Sequence, residues 1–68
     1  MLPPPLLEAM ADRIAAHFGL HYPPAEYPAL SRKLAQMAVE EDEDPVDLVA
    51  RLVVAPWADR ETALLARA

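Results

Sequence analysis

The sequence contains no cysteine and a single glycine among its 68 residues. Without cysteine the chain forms neither a disulfide framework nor a cysteine-ligated zinc site. One glycine excludes the glycine-rich loops that cradle phosphates in nucleotide-binding enzymes. A chain of this length also forms only one small domain. We therefore expect no complete enzyme here, and we assign no catalytic, cofactor-binding or metal-binding residue to this chain.

Long apolar runs and basic clusters are absent as well. No apolar run approaches the roughly 20 residues that span a bilayer. The N-terminus lacks the basic start and the apolar stretch of a signal peptide. Nucleic-acid binding needs a basic face, and the sequence shows none. We expect a cytoplasmic protein with no direct membrane insertion and no nucleic-acid partner.

Apolar residues and prolines dominate what is present. Apolar residues make up 54% of the chain, which is too many for intrinsic disorder. Eight prolines divide the sequence into four segments with helical periodicity, because proline begins helices and breaks their interiors. We predict an all-α fold, a small four-helix domain with short Pro-rich connections. Residues 1–5 are predicted as an N-terminal arm and residues 6–68 as a single helical domain.

The first two helices are predicted over 6–18 and 27–40, with Gly19 as a left-handed cap and 21–26 as an extended link. Apolar residues recur at three- and four-residue steps along both helices, so these faces should be buried. The predicted buried residues are Leu7, Met10, Ala11, Ile14, Phe18, Leu30, Leu34, Met37 and Ala38. The predicted outward residues of the second helix are Arg32, Lys33, Gln36 and Glu40.

The third helix has the clearest start, because Asp44 is a good N-cap and Pro45 suits the first helical position. Its predicted buried face consists of Val46, Val49, Leu52 and Val53. Pro56 should end it, and a fourth helix is predicted over 57–68. Trp57 is interpreted as a residue at the edge of the core, with an interface anchor as the alternative.

The net charge of −5 comes from one segment. Six acidic residues lie within eight positions, namely Glu40, Glu41, Asp42, Glu43, Asp44 and Asp47. The acidic segment Glu40 to Asp44 lacks the alternating oxygen ligands and the central glycine of a calcium loop. We therefore interpret it as a solvated loop that leads into the N-cap, with binding of a basic partner or a divalent cation as the alternative. His17 and His21 have the spacing of metal ligands on one helix, but Gly19 is expected to break that helix between them.

The order of these elements resembles the N-terminal helical domain of CheR-type chemotaxis methyltransferases. The family pattern is a helix ending in Gly-Ile/Leu, an extended link, a helix with an Arg-Leu pair, a capped helix and a final Glu-x-x-x-Leu helix. The similarity covers residues 6–68. The matching residues are Ile14, Phe18, Gly19, Leu20, Lys33, Leu34, Asp44, Val46, Val49, Leu52, Val53, Glu61 and Leu65.

The resemblance implies a parent enzyme that transfers a methyl group from S-adenosylmethionine to glutamate side chains of chemoreceptors. In that family the cofactor site lies mainly in a second, catalytic domain that this chain does not include. No cofactor is therefore expected in this fragment, which alone should not be an enzyme. The implied partners are a chemoreceptor-like or other signalling protein and the chain's own C-terminal catalytic domain.

Arg32 and Lys33 are the partner-binding residues that the resemblance implies. Well-known family members carry further basic residues along the second helix, whereas here only these two are basic. The domain would recognise a receptor or regulate the enzyme in chemotaxis-like signalling. The alternative is a free-standing helical protein-interaction or oligomerisation module without enzymatic activity.

Overall fold

Four α-helices joined by short connections make up the computed structural model, which describes residues 2–67. No strand occurs within this range. The predicted all-α class is therefore confirmed. The helices are α1 (Pro4–Phe18), α2 (Tyr27–Glu40), α3 (Pro45–Val54) and α4 (Asp59–Ala66).

The first helix begins two residues before the predicted start at Leu6. Two prolines occupy its first turn, where their fixed φ is already helical and their missing N–H groups are not needed. The carbonyl of Pro3 accepts hydrogen bonds from the backbone N–H groups of Leu6 and Leu7, at 3.0 and 3.1 Å. The predicted arm is thus partly helical.

Leu2, which precedes the run of three prolines, is packed into the fold. The side chain of Leu2 is only 5% exposed. Its backbone N–H donates to the hydroxyl of Ser31 on α2, with an N–O distance of 3.2 Å. The N-terminal arm therefore forms one wall of the structure beside α2.

Gly19 ends α1 in the left-handed conformation, with φ at 71°. Its N–H donates to the carbonyl of Ala15 at 2.9 Å. This confirms the predicted cap, because glycine adopts positive φ without the clash of a Cβ. The following link is less extended than predicted, since a single 3-10 turn spans Pro24–Glu26.

The core forms where α1, α2 and α3 pack on one another. The predicted buried residues of α1 and α2 are confirmed except Phe18, which is half-buried at the core edge. The prediction for α3 is wrong at Val46, which is 43% exposed, and at Val53, which is half-buried. Leu48 is fully buried instead. The buried apolar residues are Leu2, Leu7, Met10, Ala11, Ile14, Leu30, Leu34, Met37, Ala38, Leu48, Val49, Leu52 and Leu65.

The start of α3 is fixed by Asp44, as predicted. Its carboxylate Oδ1 accepts hydrogen bonds from the backbone N–H groups of Val46 and Asp47, at 2.9 and 3.4 Å. These bonds satisfy amides that have no partner inside the helix. The cap therefore sets where the chain turns back from the acidic segment into α3.

The acidic segment is not merely a solvated loop, because three of its carboxylates form ion pairs. Glu43 pairs with Arg51 of α3 at 2.9 Å. Two further pairs join the segment to α4 and to the residue that follows it, namely Glu41 with Arg60 at 2.9 Å and Glu40 with Arg67 at 3.6 Å. Sequence spacing alone could not place Arg60 and Arg67 beside these acids, because they meet only once α4 folds back.

Glu61 is the one buried charged residue among residues 2–67. Its carboxylate accepts hydrogen bonds from Arg51 and from the backbone N–H of Ala58. Burial by itself raises the pKa of Glu61, but these two bonds outweigh it and hold the pKa below its usual value. Glu61 thereby anchors the start of α4, which begins at Asp59 and not at the predicted Trp57.

The predicted helix end at Ala68 lies outside the described residues. None of the helices in the described range is long and apolar enough to cross a membrane.

Candidate docking groove

A groove with a volume of about 480 Å³ runs between the N-terminal arm, α2 and the first turn of α3. Most of its lining is apolar, and its polar members include one base and one acid. The lining residues are Leu2, Pro28, Ser31, Arg32, Ala35, Asp44, Pro45 and Val46.

Helical spacing builds one side of the groove. Pro28, Ser31 and Ala35 lie three and four positions apart, so they share one face of α2. The first and the last are seven positions apart, which corresponds to a length of roughly 10 Å along the helix axis. The opposite side consists of the consecutive residues that start α3. The groove is therefore about two helical turns long.

Arg32, the first of the two predicted partner-binding residues, lines this groove. Its side chain is exposed and makes no hydrogen bond or ion pair within residues 2–67. The other five basic side chains each contact an oxygen atom of another residue. They are Arg13, Lys33, Arg51, Arg60 and Arg67. Arg32 is thus the one cation of the described chain that is left for a partner.

Lys33, the second predicted partner-binding residue, lies outside the groove. The expected outward orientation is wrong, because the side chain is half-buried and its Nζ donates to the carbonyl of Leu65 on α4 at 2.6 Å. That carbonyl is near the end of α4, where helical carbonyls lack intrahelical partners. Burial lowers the pKa of the Lys33 amine. In this structure Lys33 therefore tethers α4 to α2.

The Lys33 amine should titrate below the usual lysine value of about 10.4. The unfolded chain holds this proton more tightly than the folded one, so burying the charged amine lowers the free energy of unfolding at every pH below the folded pKa. The free energy of unfolding then rises as the pH increases from the folded pKa to the unfolded pKa. The chain has only this lysine, so its Nζ and Cε resonances are unambiguous in an NMR titration. The urea-unfolded chain is the control, and equal titration midpoints in both states would contradict the burial.

Some groove residues were assigned other roles from the sequence. Val46 was predicted in the core, yet its exposed side chain lines the groove. Asp44 was predicted only as a cap, and Leu2 only as part of an arm. One signal was available for Val46. Pro45 marks the first helical position, so Val46 lies in the first turn of α3, next to the preceding loop and at the end of the buried stripe.

Trp57 is packed at the edge of the core, away from the groove. Its Nε1–H donates to the carbonyl of Leu52 at 2.8 Å. The ring of His17 stacks on it with centroids 4.0 Å apart. The Arg13 guanidinium lies 5.4 Å from the ring centroid and donates to carbonyls at the end of α3. This cluster joins α1 to α3, which supports the interpretation of Trp57 as a core-edge residue.

Comparison of the chain with known protein families, with curated proteins and with solved structures found no match.

Proposed function

We propose that this chain is the partner-recognition domain of an S-adenosylmethionine-dependent protein-glutamate methyltransferase of the CheR type. The domain recognises a chemoreceptor-like signalling protein, and methyl transfer takes place in a catalytic domain of the parent protein. S-adenosylmethionine is the cofactor of that parent, and the proposed setting is cytoplasmic signalling.

The observation that carries the proposal is the position of Arg32 on α2. The resemblance implies a basic, receptor-facing second helix, and Arg32 of that helix has no ionic partner among residues 2–67 and lies in an open groove. The left-handed Gly19 and the N-cap Asp44 also correspond to the glycine and to the start of the capped helix in the family pattern, which supports the proposal. Charge at such a surface governs partner choice and association rate.

The test is methyl transfer by the protein expressed from its complete reading frame. The protein is incubated with S-adenosylmethionine carrying a labelled methyl group and with chemoreceptor signalling domains from the same cell. We expect label in base-labile glutamyl methyl esters of the receptor. If no such ester is labelled, the proposal is overturned. Arg32→Gln should raise KM for the receptor by about threefold with little change in kcat, as for one exposed charge pair. Arg60→Gln, outside the groove, is the matched control.

A free-standing interaction or oligomerisation module is the second candidate. It is favoured by apolar side chains left in solvent, since Val39 and Val54 are 74% and 79% exposed. Sedimentation equilibrium of the 68-residue chain distinguishes the two. A stable homodimer together with absent methyl transfer would favour the module.

A further inference from the structure

We propose that the groove between α2 and the start of α3 binds a helical segment of mixed charge from a partner protein. The segment presents a carboxylate to Arg32, small apolar side chains to the groove floor and a basic side chain to Asp44. Whereas the resemblance implies a uniformly basic docking helix, the groove here carries one charge of each sign.

The two charges of the groove come from different elements. Arg32 belongs to α2 and is unpaired within the described chain. Asp44 precedes α3, and only its Oδ1 is used by the N-cap hydrogen bonds. Its other carboxylate oxygen accepts no hydrogen bond from residues 2–67. Each side of the groove therefore offers an ionic contact that the fold itself does not use.

The floor between these charges is apolar. Leu2 is buried there, Ala35 and Pro45 are half-buried, and Val46 is 43% exposed. Covering such a surface with apolar side chains removes it from water, which favours binding. Its length of roughly 10 Å matches two turns of a helix. Apolar anchors at three- and four-residue spacing are how an amphipathic helix occupies a groove.

Charge also disfavours three other occupants of the groove, which are a second copy of this chain, a uniformly acidic helix and a uniformly basic helix. A second copy of this chain would bring together two molecules that each carry a net charge of −5. A uniformly acidic helix would meet Asp44 and the acidic segment beside it. A uniformly basic helix would meet Arg32. A segment with both signs avoids these like-charge contacts, which are the usual basis of partner rejection.

This inference rests on the recognition role in the proposed function and does not involve methyl transfer. Its test therefore uses the 68-residue chain without S-adenosylmethionine. If peptide binding fails while the complete protein still methylates receptors, the groove assignment alone is overturned. If the groove binds as expected and methyl transfer is absent, only the enzymatic proposal is lost.

The probes are three alanine- and leucine-based peptides of about 16 residues, long enough to be partly helical. Each carries two charged residues that are two helical turns apart. The first peptide has one Glu and one Lys, the second has two Glu, and the third has two Lys. Binding to the isotope-labelled chain is followed by NMR in low-salt buffer, because salt screens exposed pairs. We expect the Glu/Lys peptide to shift the amides of Arg32, Ala35 and Val46, and to bind about threefold more tightly than the other two.

Two variants separate the charges. Arg32→Gln should abolish the preference over the Lys/Lys peptide. Asp44→Asn should abolish the preference over the Glu/Glu peptide while keeping the cap, because asparagine is also a good N-cap. Arg60→Gln removes a positive charge outside the groove and should change neither preference.

Three results would overturn the inference. Equal affinity for all three peptides would show that binding does not depend on their charge pattern. Shifts confined to other faces of the molecule would show that the groove is not the binding site. Groove shifts that depend on protein concentration without any peptide would assign the site to a second copy of the chain.

Discussion

Leu34→Ala lowers the free energy of unfolding by about 2–5 kcal/mol, as for other fully buried leucines. Leu34 is completely shielded from solvent at the centre of α2. A domain of this size rarely draws more than about 3–5 kcal/mol from one core, so the variant should retain only a small part of the stability of the parent chain. Urea unfolding followed by far-ultraviolet circular dichroism measures the change.

Val39→Ala is the matched control on the same helix. It also shortens an aliphatic side chain, but Val39 is 74% exposed. Its effect should stay within about 0.5 kcal/mol, as for most surface substitutions. If Leu34→Ala costs less than about 1 kcal/mol, or no more than the control, the assignment of the buried face of α2 is wrong.

Trp57→Ala should cost about 2–4 kcal/mol, somewhat less than for a fully buried tryptophan because the side chain is half-buried. The substitution removes the ring that stacks on His17 and lies near the Arg13 guanidinium. It also leaves the Leu52 carbonyl without the indole donor at 2.8 Å. The hydrogen bonds from Arg13 to the end of α3 remain, but the packing of the ring between α1 and that end is lost, so the midpoint of urea unfolding should fall clearly.

Trp57→Phe separates the two contributions. It keeps an aromatic ring and removes the indole N–H, so its cost should be near the roughly 1 kcal/mol of one hydrogen bond. Trp57 is the only tryptophan, so circular dichroism replaces fluorescence as the probe for all three proteins. Equal losses in the two variants would show that ring packing contributes little.

Local sequence signals predicted much of the fold. The three- and four-residue spacing gave the buried face of α2, because a regular helix turns every apolar residue of that stripe toward one neighbour. Gly19 and Asp44 marked their helix ends because caps depend on one residue and its nearest backbone amides. The first turn of α3 was harder, since Val46 and Leu48 are both apolar and periodicity over ten residues does not distinguish them.

The long-range polar contacts could not be predicted in the same way. Lys33 and Arg32 are neighbours in sequence with the same charge. Lys33 donates to α4, whereas Arg32 lines the groove and has no partner in the part of the chain that the structure describes. Which of the two is used internally depends on where α4 lies, and no local pattern encodes that position. The same holds for the groove, whose walls come from three separate stretches of chain.

The attachment of α4 has a consequence for how the molecule moves. The other three helices pack closely together, whereas α4 contributes one buried apolar side chain, Leu65, and one half-buried one, Leu64. Its remaining attachments are ion pairs and the hydrogen bond from Lys33. Exposed ion pairs weaken as ionic strength rises, while the apolar core does not. The amides of α4 should therefore exchange with solvent by local opening, faster in high salt, long before the remaining helices separate.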